Sequence, residues 1–178
     1  TKKEGMSEMK ITKIEPILAG ERYLFVKVHT DEGLVGLGEC GAWGYQEATA
    51  AVLKQMEKLL QGQDPMRIEF IWNALTRNLH FRGSITQAAV SGIDIALWDL
   101  KAKFFGVPCY ELLGGKTREK IKIYVNVRAK NAAEFAENAK KIKNRALKRY
   151  GFLSAIPKTK MADAGKTFRQ LCHGLKIL

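Results

Sequence analysis

The sequence of 178 residues predicts an α+β domain, in which a three-stranded antiparallel meander precedes several helices, followed by the first units of a β–α series. Two observations carry this prediction. Short β-forming segments joined by tight turns fill residues 9–39, whereas apolar residues recur at helical spacing over residues 46–113. After Gly115 the pattern changes to strand, helix and strand, which is typical of β–α units.

The three predicted strands cover residues 9–19, 23–30 and 34–39. Pro16 places the first strand at a sheet edge, because proline has no N–H to donate to a neighbouring strand. The second strand is rich in β-branched and aromatic residues. Asp31-Glu32-Gly33 is a turn signal that returns the chain into the third strand.

Helices are predicted to follow the meander. The first covers residues 46–60 and ends at Gly62, and the second opens at Asp64-Pro65, an N-cap followed by proline at the first helical position. The apolar stripe expected on the first helix consists of Ala48, Ala51, Val52, Met56, Leu59 and Leu60.

The third helix runs from Gly83-Ser84 to Phe105 and is apolar on several faces, so it is predicted to be buried, with Trp98 on its core-facing side. Gly92 in its middle costs about 1 kcal/mol relative to alanine, which indicates close packing there. Gly106 ends this helix, and a short helical turn follows over residues 109–113.

After Gly115, residues 121–127 alternate as a strand, and Asn131 caps a helix that runs to about Tyr150. Residues 152–156 form a second predicted strand, which Pro157 interrupts. The tail from residue 158 onward shows no clear period.

The net charge of +12 lies entirely in the last third of the chain. Residues 1–115 hold 13 basic and 14 acidic residues, whereas residues 116–178 hold 17 basic and 4 acidic residues. A basic excess suggests nucleic acid as a partner. Here, however, the basic residues lie on one amphipathic helix and a tail with few interleaved aromatics, so nucleic-acid binding is disfavoured.

The composition, 46% hydrophobic and 27% charged, is that of a globular domain. No apolar run approaches the ~20 residues of a membrane helix, and residues 1–10 lack the apolar centre of a signal peptide. We therefore expect a cytoplasmic protein without a membrane partner. The three scattered cysteines are expected to be reduced thiols.

Nucleotide and metal motifs are weak in this sequence. Residues 36–41 (GLGECG) match the glycine spacing of a dinucleotide-binding loop, but the preceding strand is one arm of a hairpin and not part of a parallel β–α–β unit. The simpler interpretation is that Gly36 and Gly38 lie on one face of a strand and let another backbone come close. Both Gly-Lys-Thr triplets lack the earlier glycine of a phosphate-binding loop, and no histidine has a second ligand at metal spacing.

Four segments in order resemble the enolase superfamily, in its mandelate racemase/muconate lactonizing enzyme subgroup. They are residues 9–16 (MKITKIEP), 36–39 (GLGE), 92–103 (GIDIALWDLKAK) and 106–115 (GVPCYELLGG). The resemblance covers residues 9–127. Within the subgroup, Phe81-Arg82-Gly83-Ser84 is most similar to the sugar-acid dehydratases, such as the galactonate dehydratases.

The resemblance implies a capping domain over residues 9–115, followed by the start of a TIM-like (β/α)₇β barrel over residues 116–152. It also implies Mg²⁺-dependent removal of the proton α to a carboxylate, a small carboxylate or sugar acid as the substrate, and a homo-oligomer.

The capping domain of such enzymes supplies two loops that close over the substrate. By position these loops are residues 18–22 and 41–44 here, and Glu21, Arg22 and Trp43 are their candidate substrate-binding residues. The alternative is that the three are ordinary loop residues.

Parts of the family pattern are missing. A barrel of this type needs about 250 residues, whereas 63 follow Gly115. The family's metal ligands are three carboxylates on successive later strands, and Asp163 is the one acid after Glu137. We therefore expect no Mg²⁺ site and no activity from this chain alone.

The candidate catalytic residues are Lys158 and Lys160, which match the family's Lys-x-Lys pair in letters. In that pattern the neighbouring positive charge lowers the pKa of the base. The pair lies seven residues after Gly151 where the family has five, so coincidence in a basic tail is the favoured alternative.

Residues 1–8 are expected to be a disordered extension and residues 153–178 a basic tail unlike the family, so the chain is interpreted as a truncated or frame-shifted member. Two other functions are weighed against that of an incomplete enzyme. One is a non-catalytic capping domain that self-associates, and the other is the basic nucleic-acid binder.

Overall fold

The computed structural model of the chain describes residues 9–77, 82–119, 123–127, 129–150 and 153–157. The chain divides into two compact units, Thr1–Gly115 and Lys116–Leu178. The predicted extension at residues 1–8 and the predicted catalytic residues Lys158 and Lys160 lie outside the described residues.

The first unit opens with an antiparallel sheet in the order β1-β2-β3, formed by β1 (Ile11–Ala19), β2 (Tyr23–Thr30) and β3 (Val35–Cys40). The predicted meander is confirmed, and β1 lies at an edge as Pro16 indicates. Alternate residues of β2 are fully buried on one face of the sheet, whereas the residues between them are partly open. This is the usual state of an antiparallel sheet that has one face on the core.

In the described part of the first unit, four helices follow the sheet: α1 (Gln46–Leu60), α2 (Ile68–Arg77), α3 (Ser84–Phe105) and α4 (Cys109–Leu112). The bounds of α1 and α3 are those that the sequence predicts. Gly106 ends α3 in the left-handed region, with φ of 65°, and the N–H of Val107 donates to the carbonyl of Ala102 at 3.0 Å. These are features of a glycine-based helix C-cap.

The predicted buried side of α1 is wrong in part. Thr49 and Leu53 are buried together with Met56 and Leu60, whereas Leu59 and the two alanines of the predicted stripe are exposed. Leu53 faces the core, and those two alanines do not, because burying a leucine removes far more apolar area from water than burying an alanine does. An alanine-rich helix therefore does not indicate its buried face by spacing alone.

Two further predictions need correction. The helix expected at Asp64-Pro65 begins at Ile68, because the carboxylate of Asp64 accepts the N–H of Met66 at 2.8 Å and closes a turn before the helix. Trp98 packs against the core as predicted but is only half-buried, with the ammonium of Lys101 5.6 Å from its ring centroid. The fully buried positions of that part of α3 are Ile93, Ala96, Leu97 and Leu100.

The backbone of α3 lies directly against β3. A Cβ atom added to Gly38 would overlap the carbonyl oxygen of Gly92, and one added to Gly36 would overlap that of Ala96. On the helix side, a Cβ atom at Gly92 would overlap Sγ of Cys40. The close approach predicted from the two strand glycines and from Gly92 is therefore confirmed.

The second unit is one β–α–β unit. The strands β4 (Ile123–Val127) and β5 (Leu153–Pro157) pair in parallel, and α5 (Ala132–Tyr150) joins them. Asn131 caps α5 as predicted, since its side-chain oxygen accepts the N–H of Glu134 at 2.9 Å. Parallel pairing around a helix is how a β–α barrel begins, although a barrel start at this point stays a prediction.

We expect Gly38→Ala to lower the free energy of unfolding by about 3 kcal/mol, the upper end of the range for overpacked cores, because the atom that it meets is backbone and has no rotamer to change. Gly41→Ala is the matched control three residues away, where an added Cβ atom meets nothing within 4 Å. Urea denaturation of both variants measures the difference. Equal midpoints would contradict the close contact of α3 with β3.

Candidate functional site

Two loops meet at one end of the first sheet. Residues 20–22 join β1 to β2, and residues 41–45 join β3 to α1. The strand register brings the loops together, because Tyr23 is paired with the last residue of β1 and the next residue, Leu24, is paired with Cys40 at the end of β3. These are the loops that the resemblance assigns to substrate closure.

A side-chain hydrogen bond joins the two loops. The amide Nε2 of Gln46, the first residue of α1, donates to the carbonyl oxygen of Arg22 at 2.9 Å. The loop that carries Glu21 and Arg22 is therefore tied to the start of α1. Sequence reasoning missed Gln46, because nothing in a single sequence relates it to a carbonyl 24 residues earlier.

A tight turn sets the position of Trp43. The N–H of Tyr45 donates to the carbonyl oxygen of Ala42 at 2.8 Å, and Gly44 between them has φ of 83°. A positive φ at the third residue of a β-turn is the type II requirement, which glycine meets without strain. Ala42 is buried beneath the turn, whereas Trp43 is 86% exposed.

Other exposed apolar side chains surround these two loops. Leu18, Tyr23 and Tyr45 are each half-exposed or more, and Glu21 and Arg22 are exposed beside them. Exposed apolar patches with polar residues at their rim mark sites that bind a ligand or another protein. The arrangement combines a guanidinium that can bind a carboxylate with rings that can cover the apolar face of a ligand.

The cysteine at the end of β3 contributes no nucleophile to this site. Burial, together with the negative charge of Glu39, raises the pKa of the Cys40 thiol to about 11. The thiolate is the reactive form of cysteine, and it is scarce at neutral pH when the pKa is that high.

The described residues do not fit a Mg²⁺ ion. Within them, no group of three or more histidine, cysteine, aspartate or glutamate side chains is arranged to hold a metal, whereas Mg²⁺ needs near-octahedral oxygen ligation.

Among the residues that the structure describes, no helix is at once long and apolar enough to cross a bilayer.

A cleft of about 600 Å³ lies between α3, α4 and β3. It is lined mainly by apolar side chains, and Asp94 is one of its acidic residues. Burial, with a smaller effect from the negative charge of Glu69, raises the pKa of Asp94. The other two charged groups of the cleft, Asp99 and Lys103, bind the backbone of β3.

Comparison with known families identifies the first unit. The family model for the mandelate racemase/muconate lactonizing enzyme N-terminal domain matches residues 15–114. A curated relative, D-galactonate dehydratase of Pectobacterium atrosepticum, is 44% identical over 135 residues, which are 75% of this chain and 35% of the relative. The D-galactonate dehydratase of Variovorax paradoxus is 38% identical over 135 residues.

Solved structures show the same similarity. An enolase from Pantoea ananatis with bound D-gluconate and Mg matches with a TM-score of 0.72 and 34% identity, over 84% of this chain and 37% of that chain. A putative galactarate dehydratase from Agrobacterium radiobacter, with bound Na and L-malate, matches with a TM-score of 0.74 and 32% identity, over 87% of this chain and 40% of that chain.

We expect alkylating reagents at neutral pH to label Cys109 well before Cys40 in the native chain. Cys40 is buried and its pKa is raised to about 11, whereas Cys109 is partly accessible. Mass spectrometry of the peptides that contain Cys40 and Cys109 measures the labelling. In urea both thiols should react, and rapid native labelling of Cys40 would contradict its burial against α3.

We expect Asp94→Asn to raise the free energy of unfolding more at neutral pH than in acid. A carboxyl whose pKa is raised by folding contributes stability below its unfolded pKa and loses that contribution as the pH rises through the folded pKa. Urea melts at neutral pH and below the ordinary aspartate pKa of about 3.9 measure the difference. A difference that does not change with pH would contradict the raised pKa.

Proposed function

The chain belongs to the mandelate racemase/muconate lactonizing enzyme family, and the N-terminal domain of that family occupies residues 15–114. On this premise we propose that the chain forms the substrate cap of an acid-sugar dehydratase. The chain spans about a third of the length of the curated relatives that it matches, 35% in the first of them. The dehydration of a sugar acid by the whole protein is therefore part of the proposal.

The observation that carries the proposal is the pair of joined loops at one end of the sheet. The bond from Gln46 to the Arg22 carbonyl holds the loops together, and the turn ending at Tyr45 leaves Trp43 86% exposed. Exposed binding residues on loops that a rigid sheet positions are the usual form of a specificity surface. The relatives named for D-galactonate and the relative that binds D-gluconate support a polyol carboxylate as the ligand.

Each candidate residue has a role that follows from its chemistry. The guanidinium of Arg22 would pair with a carboxylate or donate to hydroxyl oxygens, and the carboxylate of Glu21 would accept hydrogen bonds from hydroxyl groups. The indole of Trp43 would cover the C–H face of the sugar acid and exclude water. All three side chains act in binding and orientation, and proton abstraction belongs to other residues.

The residues that perform the reaction are proposed to lie outside the cap. The described residues lack a group that could hold a metal, so we propose that the chain by itself has no dehydratase activity. Residues 116–152 are proposed as the start of a barrel, and Lys158 and Lys160 stay predicted catalytic residues. The relative from Pantoea ananatis, which binds Mg together with D-gluconate, supports Mg²⁺ in full-length relatives.

We also propose that the protein is cytoplasmic, that it forms a homo-oligomer, and that its tail from residue 153 onward is unlike the family. Membership in an enzyme family favours the cap over the basic nucleic-acid binder as the function of this chain.

The experiment replaces the cap of the Pectobacterium atrosepticum D-galactonate dehydratase with residues 9–115 of this chain. In the active chimera, Arg22→Ala and Trp43→Ala should each raise KM for galactonate by about tenfold, the effect of losing one charge-assisted or stacking contact. Steady-state kinetics of galactonate dehydration measure this change.

Glu32→Ala is the control, because Glu32 is exposed on the turn between β2 and β3, away from the two loops. This variant should leave KM for galactonate unchanged. The purified 178-residue chain, tested separately, should give no turnover. If KM stays constant in both loop variants, the two loops do not bind the substrate. Dehydration by the chain alone would overturn the assignment of the chemistry to residues outside the cap.

A further inference from the structure

The outer edge of β3 is occupied by two side chains of α3. The carboxylate oxygen Oδ2 of Asp99 accepts the N–H of Leu37 at 2.8 Å, and Nζ of Lys103 donates to the carbonyl oxygen of Val35 at 2.8 Å. The two side chains also form an ion pair of 2.7 Å. We call Asp99 and Lys103 the edge clamp.

These backbone groups are the ones that the sheet itself leaves unpaired. Among the strands that the structure describes, β3 is terminal and has β2 as its one neighbour. The outward N–H and C=O groups of such a strand form a template on which another strand can pair, and native proteins block that template in specific ways. The edge clamp satisfies one outward donor and one outward acceptor with groups of opposite charge.

The opposite edge of the sheet is blocked more extensively. On β1, the carboxylate of Glu57 accepts the N–H of Ile14 at 3.1 Å, and Pro16, two residues further on, has no N–H. The chain after α1 also pairs with this strand, since Ile11 N–H donates to the Gln63 carbonyl at 2.9 Å and Gly62 N–H donates to the Ile11 carbonyl at 2.8 Å. Backbone, proline and carboxylate together block β1, whereas side chains of one helix block β3 at Leu37 and Val35.

The edge of β3 is complementary to itself. In an antiparallel pair of two copies centred on Leu37, this residue would face its own equivalent and exchange N–H···O=C bonds with it, and Val35 would face Glu39. Such pairing places no like charges opposite each other, and Leu37 is 45% exposed in the single chain. It requires the Leu37 N–H and the Val35 carbonyl, the two groups that the edge clamp occupies.

We propose that the edge clamp is an autoinhibitory contact that prevents β3 from pairing with β3 of a second copy of this chain. A second copy would have to displace both side chains and leave two charged groups without their backbone partners. The cost of that displacement keeps the edge closed. Removing the clamp opens a self-complementary strand edge.

The test is the mass of Asp99→Ala/Lys103→Ala in the full 178-residue chain, measured by sedimentation velocity over a range of concentrations. We expect the variant to form a species of twice the parent mass at protein concentrations at least about tenfold below any at which the parent forms one. Adding Leu37→Pro should restore the parent mass. Proline removes the N–H that the pairing needs, and because this N–H points away from β2, the sheet loses no internal bond.

Two further variants make the result decisive. Asp94→Ala/Lys101→Ala removes one acid and one base from the same helix without touching the strand edge, and it should keep the parent mass. Asp99→Ser/Lys103→Met keeps an apolar side chain at position 103 and should dimerise as the double alanine variant does. It replaces the double alanine variant in the test if circular dichroism shows that the latter is unfolded. A folded clamp variant at the parent mass, or a dimer that Leu37→Pro does not dissociate, overturns the proposal.

Discussion

The direct contact between the backbones of α3 and β3 determines how the rest of the first unit is built. Gly36 and Gly38 carry no side chain where the two elements are closest, so carbonyl groups of the helix lie where their Cβ atoms would otherwise be, and Gly92 leaves room for the Cys40 side chain. Protein interiors are close-packed. A methyl group added at the contact would therefore push α3 away from the sheet and displace the side chains packed on it. The longest helix therefore has one position against the sheet.

This close approach has consequences at both ends of β3. Along the strand, α3 is near enough for Asp99 and Lys103 to reach backbone groups of the edge. At the end of the strand, Cys40 packs against Gly92 and fixes the point from which the loop with Trp43 begins. The loop that carries Trp43 therefore begins at a buried and closely packed point of the sheet. In the function that we propose, the cap contributes recognition and the chemistry belongs to residues outside it.

Local signals made much of the fold predictable from the sequence. The bounds of α1 and α3, the cap at Asn131 and the stop at Gly106 each depend on residues within one helical turn, so a single sequence contains them. The glycines of β3 also predicted a close backbone contact. The candidate loops came from the order of four family segments, which locates residues such as Trp43 by position but gives no geometry.

Tertiary structure alone decided which faces are buried and which distant groups meet. Leu53 is buried and Trp98 is half-buried, because burial depends on the shape of the elements that pack on a helix. The spacing of residues within that helix holds no information about this shape. The bond from Gln46 to Arg22 spans 24 residues and that from Leu37 to Asp99 spans 62. Local patterns determined the elements, whereas these contacts exist only after folding has brought remote parts of the chain within hydrogen-bond distance.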